Sequence, residues 1–212
     1  MIIAPDWIWV HVPKCAGTMT EQILRSVHGK DPSVVFDPVG PGLPVIWHQT
    51  LARRAVEVPD FSPGPRRIIG NIRRLPSWVL SRVHFEIARS GPEAAVSRKQ
   101  VLLGKFRTGV AGKGNAALNK LTSADQTLRG FAAEVTDWVR TEDLDQDLQR
   151  VFGWKSAPPH QPSDKVNASR MPYVRDLAFW FTARDLARMY EANPLWAGVE
   201  RQVYGDILSL TD

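Results

Sequence analysis

The feature that most constrains the fold is a change of hydrophobic pattern near the start of the chain. Trp7 to Val12 is rich in large apolar residues, and Pro13 cannot continue the hydrogen bonding of a strand. From Gly17 to Val27 the apolar residues recur instead at the spacing of a helix. The sequence therefore predicts a buried strand, a tight loop and a helix, which together are half of a βαβ unit.

The same pattern returns twice along the chain. The segment RRIIGNIRR predicts a strand over Ile68 to Ile72, followed by a helix from Pro76 to Ala88. The segment DWVRTEDLDQDLQRVFG predicts another strand and then a helix that Thr141 caps and Gly153 closes. Strands that alternate with helices are typical of α/β proteins. We predict a three-layer sandwich with a mainly parallel central sheet, as a single domain over residues 1–212.

The remaining segments predict helices and two long loops. Helices are expected over Pro92 to Leu103 and over Thr122 to Val135, where Ser123 and Gln126 have the spacing of a capping box. The glycine-rich, basic stretch between these helices is expected to be a mobile loop. The proline-bearing stretch from Lys155 to Tyr173 is too long for a simple connection, and it is a candidate binding loop. Two helices are expected from residue 182 onwards.

Composition limits the function more than the fold. The net charge of +5 and the sequence pI of about 9.6 favour an anionic partner. The single cysteine, Cys15, excludes an internal disulfide and leaves no zinc pattern. No basic leader precedes the first apolar segment, and no run approaches the roughly 18 apolar residues of a membrane span. We therefore expect a soluble, cytoplasmic protein without a membrane span.

The loop HVPKCAGT has the composition of an anion-binding site. Where a strand leads into a helix, consecutive N–H groups point at one spot, and the helix N-terminus adds partial positive charge. Lys14 can place a point charge on the anion, while Ala16 and Gly17 let it approach the main chain. The hydroxyls of Thr18 and Thr20 can donate to it. The G-x-x-x-x-G-K-[ST] loop is absent, which disfavours a kinase or GTPase.

This loop resembles the 5′-phosphosulfate loop of sulfotransferases, Pro-Lys-x-[Gly/Ala]-[Gly/Thr]-Thr after a first strand, and most closely that of the carbohydrate branch. The segment IRRLPSWVLSRV is similar to the family's 3′-phosphate segment, with Arg73 at a strand end and Ser81 eight positions later. Arg74 and Leu75 replace the family's Asp or Asn and Pro, and Trp78 replaces its second arginine. The segments KQVLLGKFRTG, WVRTEDLDQDL and KVNASR resemble later family segments in the expected order, so the resemblance covers most of the chain.

The resemblance implies a P-loop-like sulfotransferase fold and the co-substrate 3′-phosphoadenosine 5′-phosphosulfate (PAPS). Its sulfuryl group would pass to a hydroxyl or amine of a small-molecule or oligosaccharide acceptor, which we expect to be a carbohydrate. That chemistry requires no metal. The residues implied in binding the co-substrate are Lys14, Cys15, Ala16, Gly17, Thr18, Met19, Arg73, Ser81, Lys165, Asn167, Ser169 and Arg170.

Two residues compete for the role of the base that takes the proton of the acceptor. His48 resembles the histidine of the branch whose loop this chain shares, and Glu21 lies where another carbohydrate branch carries a glutamate nearby. We prefer His48, because an imidazole accepts a proton near neutral pH without a large pKa shift. Lys14 is the candidate for stabilising charge on the leaving phosphate. His11, just before the loop, is expected to be structural.

Three alternatives stay open. A P-loop-like kinase lacks its second glycine and a magnesium-binding aspartate here. A degenerate sulfotransferase that only binds nucleotide fits the altered 3′-phosphate segment. A nucleic-acid-binding protein fits the 27 Lys and Arg residues, although we expect no nucleic acid as partner. Aromatic residues such as Trp47, Trp154 and Phe106 could stack on a ligand, but core packing is the commoner use.

Overall fold

A computed structural model gives the fold of the chain. It describes residues 1–38, 46–108, 120–156, 158 and 172–210. The predicted co-substrate residues Lys165, Asn167, Ser169 and Arg170 lie outside this described part. The described residues form a mixed α/β structure, which confirms the predicted class. The chain divides into two compact units, Met1–Ile72 with Gly130–Val166 and Arg73–Arg129 with Asn167–Asp212. A single domain over residues 1–212 stays a prediction.

The first unit is built on a five-stranded mixed sheet. Its strands, numbered in chain order, are β1 Ile2–Ile3, β2 Trp7–Val10, β3 Val35–Phe36, β4 Arg67–Ile72 and β7 Asp137–Arg140. The spatial order is β3-β1-β2-β4-β7. The three predicted strands β2, β4 and β7 are parallel, whereas β1 runs antiparallel to β2 and β3. The antiparallel strand β1 makes the sheet mixed, and neither β1 nor β3 was predicted.

Among the described residues, the helices that lie wholly in the first unit are α1 Gly17–His28, α2 Leu51–Glu57 and α6 Leu144–Phe152. Side chains alternate between the faces of a strand, so Trp7 and Trp9 share one face with Ile69 and Val139 of the neighbouring strands. The helices α1 and α6 bury their apolar stripes on this face; the residues they contribute are Ile23, Leu24, Leu148 and Val151.

Thr141 does not cap α6, so that prediction is wrong. The backbone N–H of Thr141 donates to the carbonyl of Ile72 at 2.8 Å, which extends the ladder between β7 and β4 by one residue. The helix begins later, at Leu144, with Asp143 as its N-cap. The predicted end is confirmed, because Gly153 closes α6 in the left-handed conformation, with φ of 67°.

The described part of the second unit is mostly helical. Its elements are α3 Leu75–Ser90, a 3₁₀ turn Pro92–Ala94, α4 Arg98–Val101, β5 Lys105–Thr108, β6 Lys120–Ser123, α7 Leu177–Trp180, α8 Ala183–Glu191 and α9 Pro194–Tyr204, while α5 Ala124–Ala132 crosses the boundary between the units in sequence. Its core contains a cluster of buried aromatic rings, in which Trp78 lies 4.6 Å from Trp196 and 5.4 Å from Phe106, centroid to centroid.

Two sequence predictions for the second unit are wrong. The stretch expected to be a mobile loop begins with β5, which pairs antiparallel with β6. Phe106 of β5 is buried against Trp78, so this part of the stretch belongs to the core of the second unit. Residues 109–119 lie outside the described part. The helix expected from Pro92 to Leu103 is instead a 3₁₀ turn and the short α4, since Ala95 between them is extended.

The predicted capping box is confirmed, although the helix starts later than expected. Ser123 Oγ accepts from Gln126 N at 3.2 Å, and Gln126 Oε1 accepts from Ser123 N at 2.9 Å. The helix α5 begins at Ala124, because Thr122 belongs to β6. Within the described ranges, none of the helices combines the length and the apolar character that crossing a membrane requires.

Candidate functional site

The carboxyl ends of the three parallel strands form one edge of the first unit's sheet. In the register, Val10 lies beside Gly70 and Ile72 lies beside Arg140. At this edge β2 leads into the loop of residues 11–16, which precedes α1. Ligands of open α/β sheets bind outside the carboxyl ends of the strands. The predicted anion loop therefore lies at the edge where such a site is expected.

The loop between β2 and α1 has an unusual backbone. Lys14 and Ala16 have positive φ angles of 67° and 58°, and in the described part only Asp60 shares this property among non-glycine residues. The left-handed conformation costs such residues about 1–2 kcal/mol each. Ala16 is the N-cap of α1, and its methyl group cannot cap the helix. The first N–H groups of a helix have no partner inside the helix, so they point outward at the positive end of its dipole.

A buried chain of hydrogen bonds holds the loop to the neighbouring strand. Trp9 Nε1 donates to Asn71 Oδ1 at 2.7 Å, and Asn71 Nδ2 donates to Thr20 Oγ1 at 2.9 Å. The Thr20 hydroxyl donates in turn to the Ala16 carbonyl at 3.2 Å. Thr20 is therefore engaged inside the protein, in contrast to its predicted role as a phosphate donor. Sequence reasoning passed over Asn71, although an amide within the apolar run IIGNI signals a need for buried partners.

Gly17 makes room for a histidine ring. A Cβ atom built at Gly17 would lie 1.9 Å from His11 Nε2, so the imidazole fills the space that any side chain at position 17 would take. His11 is 7% exposed, and its ring lies 5.2 Å from Trp9 and 4.4 Å from His48, centroid to centroid. The sequence predicted that Gly17 admits an anion; the structure adds that His11 requires a glycine there. His11 is therefore a buried side chain that packs against the loop, which agrees with the structural role predicted for it.

The two candidate bases have different surroundings. His48 is exposed, and its ring meets the ring of His11 edge to face at 87°. His48 therefore contacts His11, and the ring of His11 in turn packs against Gly17 of the loop. Glu21 lies one turn into α1, and its Oε1 accepts from Arg25 Nη2 at 2.8 Å, an ion pair along the helix.

The other residues predicted within the loop differ in burial. Lys14 and Thr18 are half-buried, while the thiol of Cys15 is completely buried. The side chain of Met19 packs against the apolar cluster of the first unit. The backbone N–H of Cys15 donates to the carbonyl of Val12 at 3.4 Å, inside the loop. For Met19, the group that can face an anion is the backbone N–H rather than the side chain.

Arg73 and Ser81 belong to the second unit, and both are half-buried. The carbonyl of Arg73 accepts from Trp196 Nε1 at 3.0 Å, which fixes the backbone of the arginine. Its Nε is buried and has no hydrogen-bond partner within the described part of the chain. A buried guanidinium nitrogen without an acceptor is the kind of group that a bound anion satisfies.

The two departures from the family pattern have structural explanations. Arg74 Nη1 forms ion pairs with Glu200 at 3.1 Å and with Asp206 at 2.7 Å, and the guanidinium lies over the ring of Tyr204. Trp78 is completely buried. Arg74 therefore serves the internal packing of the second unit, and position 78 offers no charge to a ligand.

Glu200 joins four segments of the second unit. It is completely buried, and its carboxylate accepts from Tyr190 Oη at 2.6 Å, from Leu75 N at 2.8 Å and from Leu208 N at 3.3 Å, besides the ion pair with Arg74. Burial raises the pKa of Glu200 above its ordinary value, and burial together with this carboxylate raises the pKa of Tyr190. The bonds from Arg74 and from Leu75 N to Glu200 fix the start of α3, two residues after Arg73.

The burial of His11 predicts a loss of stability in acid. Burial first, and then the nearby charges of His48 and Lys14, lower the pKa of His11 well below 6.5. The unfolded chain takes up this proton near its ordinary pKa of about 6.5 while the folded chain resists it, so stability falls as the pH drops below that value. The slope from this one group is at most about 1.4 kcal/mol per pH unit.

We expect His11→Phe to flatten that pH dependence. Urea unfolding at a series of pH values between 7.5 and 5 measures the free energy of unfolding of the wild type and of His11→Phe. The control is His28→Phe, at a less buried histidine of the same unit. Burial lowers the pKa of His28 as well. Equal slopes for the wild type and His11→Phe would show that His11 is not the group responsible.

A scan against protein-family models and searches among curated proteins and solved structures return no match for this chain. The assignment of a function therefore depends on the geometry of the loop and on the sequence resemblance.

Proposed function

We propose that the protein is a PAPS-dependent sulfotransferase that transfers a sulfuryl group to a hydroxyl or amine of a carbohydrate acceptor. One observation carries the proposal above the others. The loop that resembles a 5′-phosphosulfate loop lies at the carboxyl end of β2, with left-handed Lys14 and Ala16 directly before α1. Such a backbone is expected where consecutive N–H groups surround a phosphate.

In the proposed reaction, the acceptor oxygen forms a bond to sulfur while the bond from sulfur to the bridging phosphate oxygen breaks. Adenosine 3′,5′-bisphosphate is the leaving group. The N–H groups at the start of α1 bind its 5′-phosphate, and Lys14 stabilises the negative charge that grows on the leaving oxygen. The proton of the acceptor hydroxyl passes to a base. PAPS is a co-substrate in this scheme, and no metal is required.

We propose His48 as that base. Its ring contact with His11 connects it to the loop, and its exposure leaves it accessible to an acceptor. Glu21 is the weaker candidate, because one of its carboxylate oxygens is already engaged by Arg25 of the same helix. The two roles can be compared directly, since His48→Ala should lower the transfer rate much more than Glu21→Gln.

Arg73 and Ser81 are the proposed ligands of the 3′-phosphate. We expect Arg73→Gln to weaken binding of adenosine 3′,5′-bisphosphate about tenfold or more, while the affinity for adenosine 5′-monophosphate stays nearly constant, because only the first ligand carries the phosphate that the guanidinium would bind. Isothermal titration calorimetry with both nucleotides measures this selectivity. Arg129→Gln, at an exposed arginine of the same unit, is the control. Equal losses for both nucleotides would contradict the role of Arg73.

We further propose that the sheet of the first unit is the central layer of a three-layer, P-loop-like sulfotransferase fold. The helices α1 and α6 cover the face of Trp7 and Trp9. On the opposite face, Ile8, Val10 and Ile72 are completely buried. Burial on both faces is expected of a sheet with a layer on each side.

A second candidate is a sulfotransferase fold that binds nucleotide without transferring a sulfuryl group. It is favoured by the side chains at positions 74 and 78, because Arg74 is engaged by Glu200 and Asp206 and Trp78 is buried in the core. Both candidates require nucleotide binding, and they differ only in turnover.

Two measurements separate these functions. Adenosine 3′,5′-bisphosphate should raise the melting temperature, whereas stabilisation by RNA or DNA alone, with a steep salt dependence, would favour a nucleic-acid-binding protein instead. Transfer of labelled sulfate from PAPS to a panel of glycans should then be detected. Binding without transfer to any acceptor favours the second candidate, and the absence of nucleotide binding contradicts both.

A further inference from the structure

We infer that Asn71 and Thr20 are positioning residues that hold the anion loop in its binding shape through a one-way relay of buried hydrogen bonds. The relay runs from Trp9 through Asn71 and Thr20 to the carbonyl of Ala16. The shape of the loop is a property of the folded chain, and only the identity of the ligand rests on the proposed function.

The chemistry of each group fixes the direction of the relay. An indole nitrogen can only donate, so the partner of Trp9 must be the oxygen of the Asn71 side chain. The amide nitrogen of Asn71 then faces Thr20, and it also can only donate. The hydroxyl of Thr20 accepts this bond, which directs its own hydrogen to the carbonyl of Ala16. Each link therefore determines the role of the next.

Burial makes the relay effective. Trp9 is 1% exposed, and Asn71 and Thr20 are completely buried, so water does not replace a lost partner in the folded state. The strand β4 that carries Asn71 lies between β2 and β7, inside the sheet. The relay thus connects the loop to one of the most constrained strands of the first unit.

The end of the relay is the residue that needs support. Ala16 is left-handed, with φ of 58°, and no side chain caps α1 at this position. Its carbonyl accepts both from Thr20 Oγ1 at 3.2 Å and from Thr20 N at 3.0 Å. Two donors from one residue hold the peptide group that joins Ala16 to Gly17, and therefore the direction of the first N–H group of α1.

The thiol of Cys15 supplies a direct test, because it is the single cysteine of the chain and is completely buried inside the loop. Its reaction with a disulfide reagent under native conditions reports opening of the loop. We expect Thr20→Val, which keeps the size and removes the hydroxyl, to accelerate labelling about tenfold or more. Thr20→Ser keeps the hydroxyl, and we expect it to label at close to the wild-type rate.

Further variants distinguish the loss of the relay from a general loss of stability. Asn71→Asp keeps the size but removes the N–H donor, so we expect the same acceleration even if Thr20→Val fails to fold. Tyr190→Phe removes a hydrogen bond to buried Glu200 in the second unit, and we expect no acceleration when its free energy of unfolding matches that of Thr20→Val. Wild-type labelling rates in both Thr20→Val and Asn71→Asp, or equal rates in Thr20→Ser and Thr20→Val, would overturn the relay.

A ligand measurement keeps this inference apart from the proposed function. In calorimetry, we expect adenosine 3′,5′-bisphosphate to bind Thr20→Val about tenfold more weakly than Thr20→Ser. Equal affinities would overturn the claim that the relay sets the binding shape. If the wild type does not bind this nucleotide, the proposed function fails, and the labelling rates alone decide whether the relay holds the loop.

Discussion

Gly17→Ala should abolish the proposed nucleotide binding and lower the free energy of unfolding by about 3 kcal/mol, as overpacking of a filled site does. The new Cβ would lie 1.9 Å from His11 Nε2 and 2.1 Å from its Cδ2, so the imidazole or the start of α1 must move. His11 is held between Trp9 and His48, which limits the movement of the ring. The start of α1 and the loop before it must therefore move, and these are the segments whose N–H groups are proposed to bind phosphate.

Two further variants make this prediction specific. Gly198→Ala in α9 is the matched control, because no atom lies within 4 Å of the added Cβ, and we expect no loss of stability. In the double variant His11→Ala/Gly17→Ala the space conflict disappears, so the second substitution should cost much less than it does alone. Urea unfolding and calorimetry measure both effects. Normal nucleotide binding by Gly17→Ala would show that the loop is not the phosphate site.

Lys14→Met should lower the rate of the proposed sulfuryl transfer by about 100-fold to 1000-fold, the size of effect seen when one group that stabilises developing charge is removed. Methionine keeps an unbranched side chain at this half-buried position, so the loss of rate isolates the charge of Lys14. Because that charge is proposed to act mainly on the leaving oxygen, we expect the affinity for the bisphosphate product to fall by a smaller factor than the transfer rate.

The control for Lys14→Met is Lys30→Met, at an exposed lysine of the same unit. Transfer of labelled sulfate, measured at saturating PAPS, compares the two variants with the wild type. We expect Lys30→Met to retain the wild-type rate. A rate for Lys14→Met within a few-fold of the wild type would contradict the assignment of Lys14 as the charge stabiliser.

Local patterns predicted those parts of the fold that local physics determines. The strand before Pro13, the helix from Gly17 and the capping box of Ser123 and Gln126 follow from hydrophobic period and cap chemistry within a few residues. The pairing of β5 with β6 joins two segments that are separated by residues 109–119 in the sequence, and Phe106 is buried in the core. No local sequence pattern predicts either of these tertiary contacts.

At the candidate site, too, the sequence predicted the local features and could not predict the tertiary contacts. The sequence identified the loop and its lysine, because a strand-to-helix corner with small residues is a local feature. It could not show that Asn71, 51 positions from Thr20 along the chain, ties the loop to β4. It also could not show that Gly17 faces His11 or that Arg74 pairs with Glu200, since both depend on tertiary contacts.

A crystal structure of the protein with adenosine 3′,5′-bisphosphate would locate the nucleotide relative to the loop before α1. We expect 5′-phosphate oxygens about 3 Å from the backbone nitrogens of Gly17 and Thr18 and within reach of Lys14 Nζ. A bisphosphate bound at another surface, with this loop making no contact to it, would contradict the proposed role of the loop.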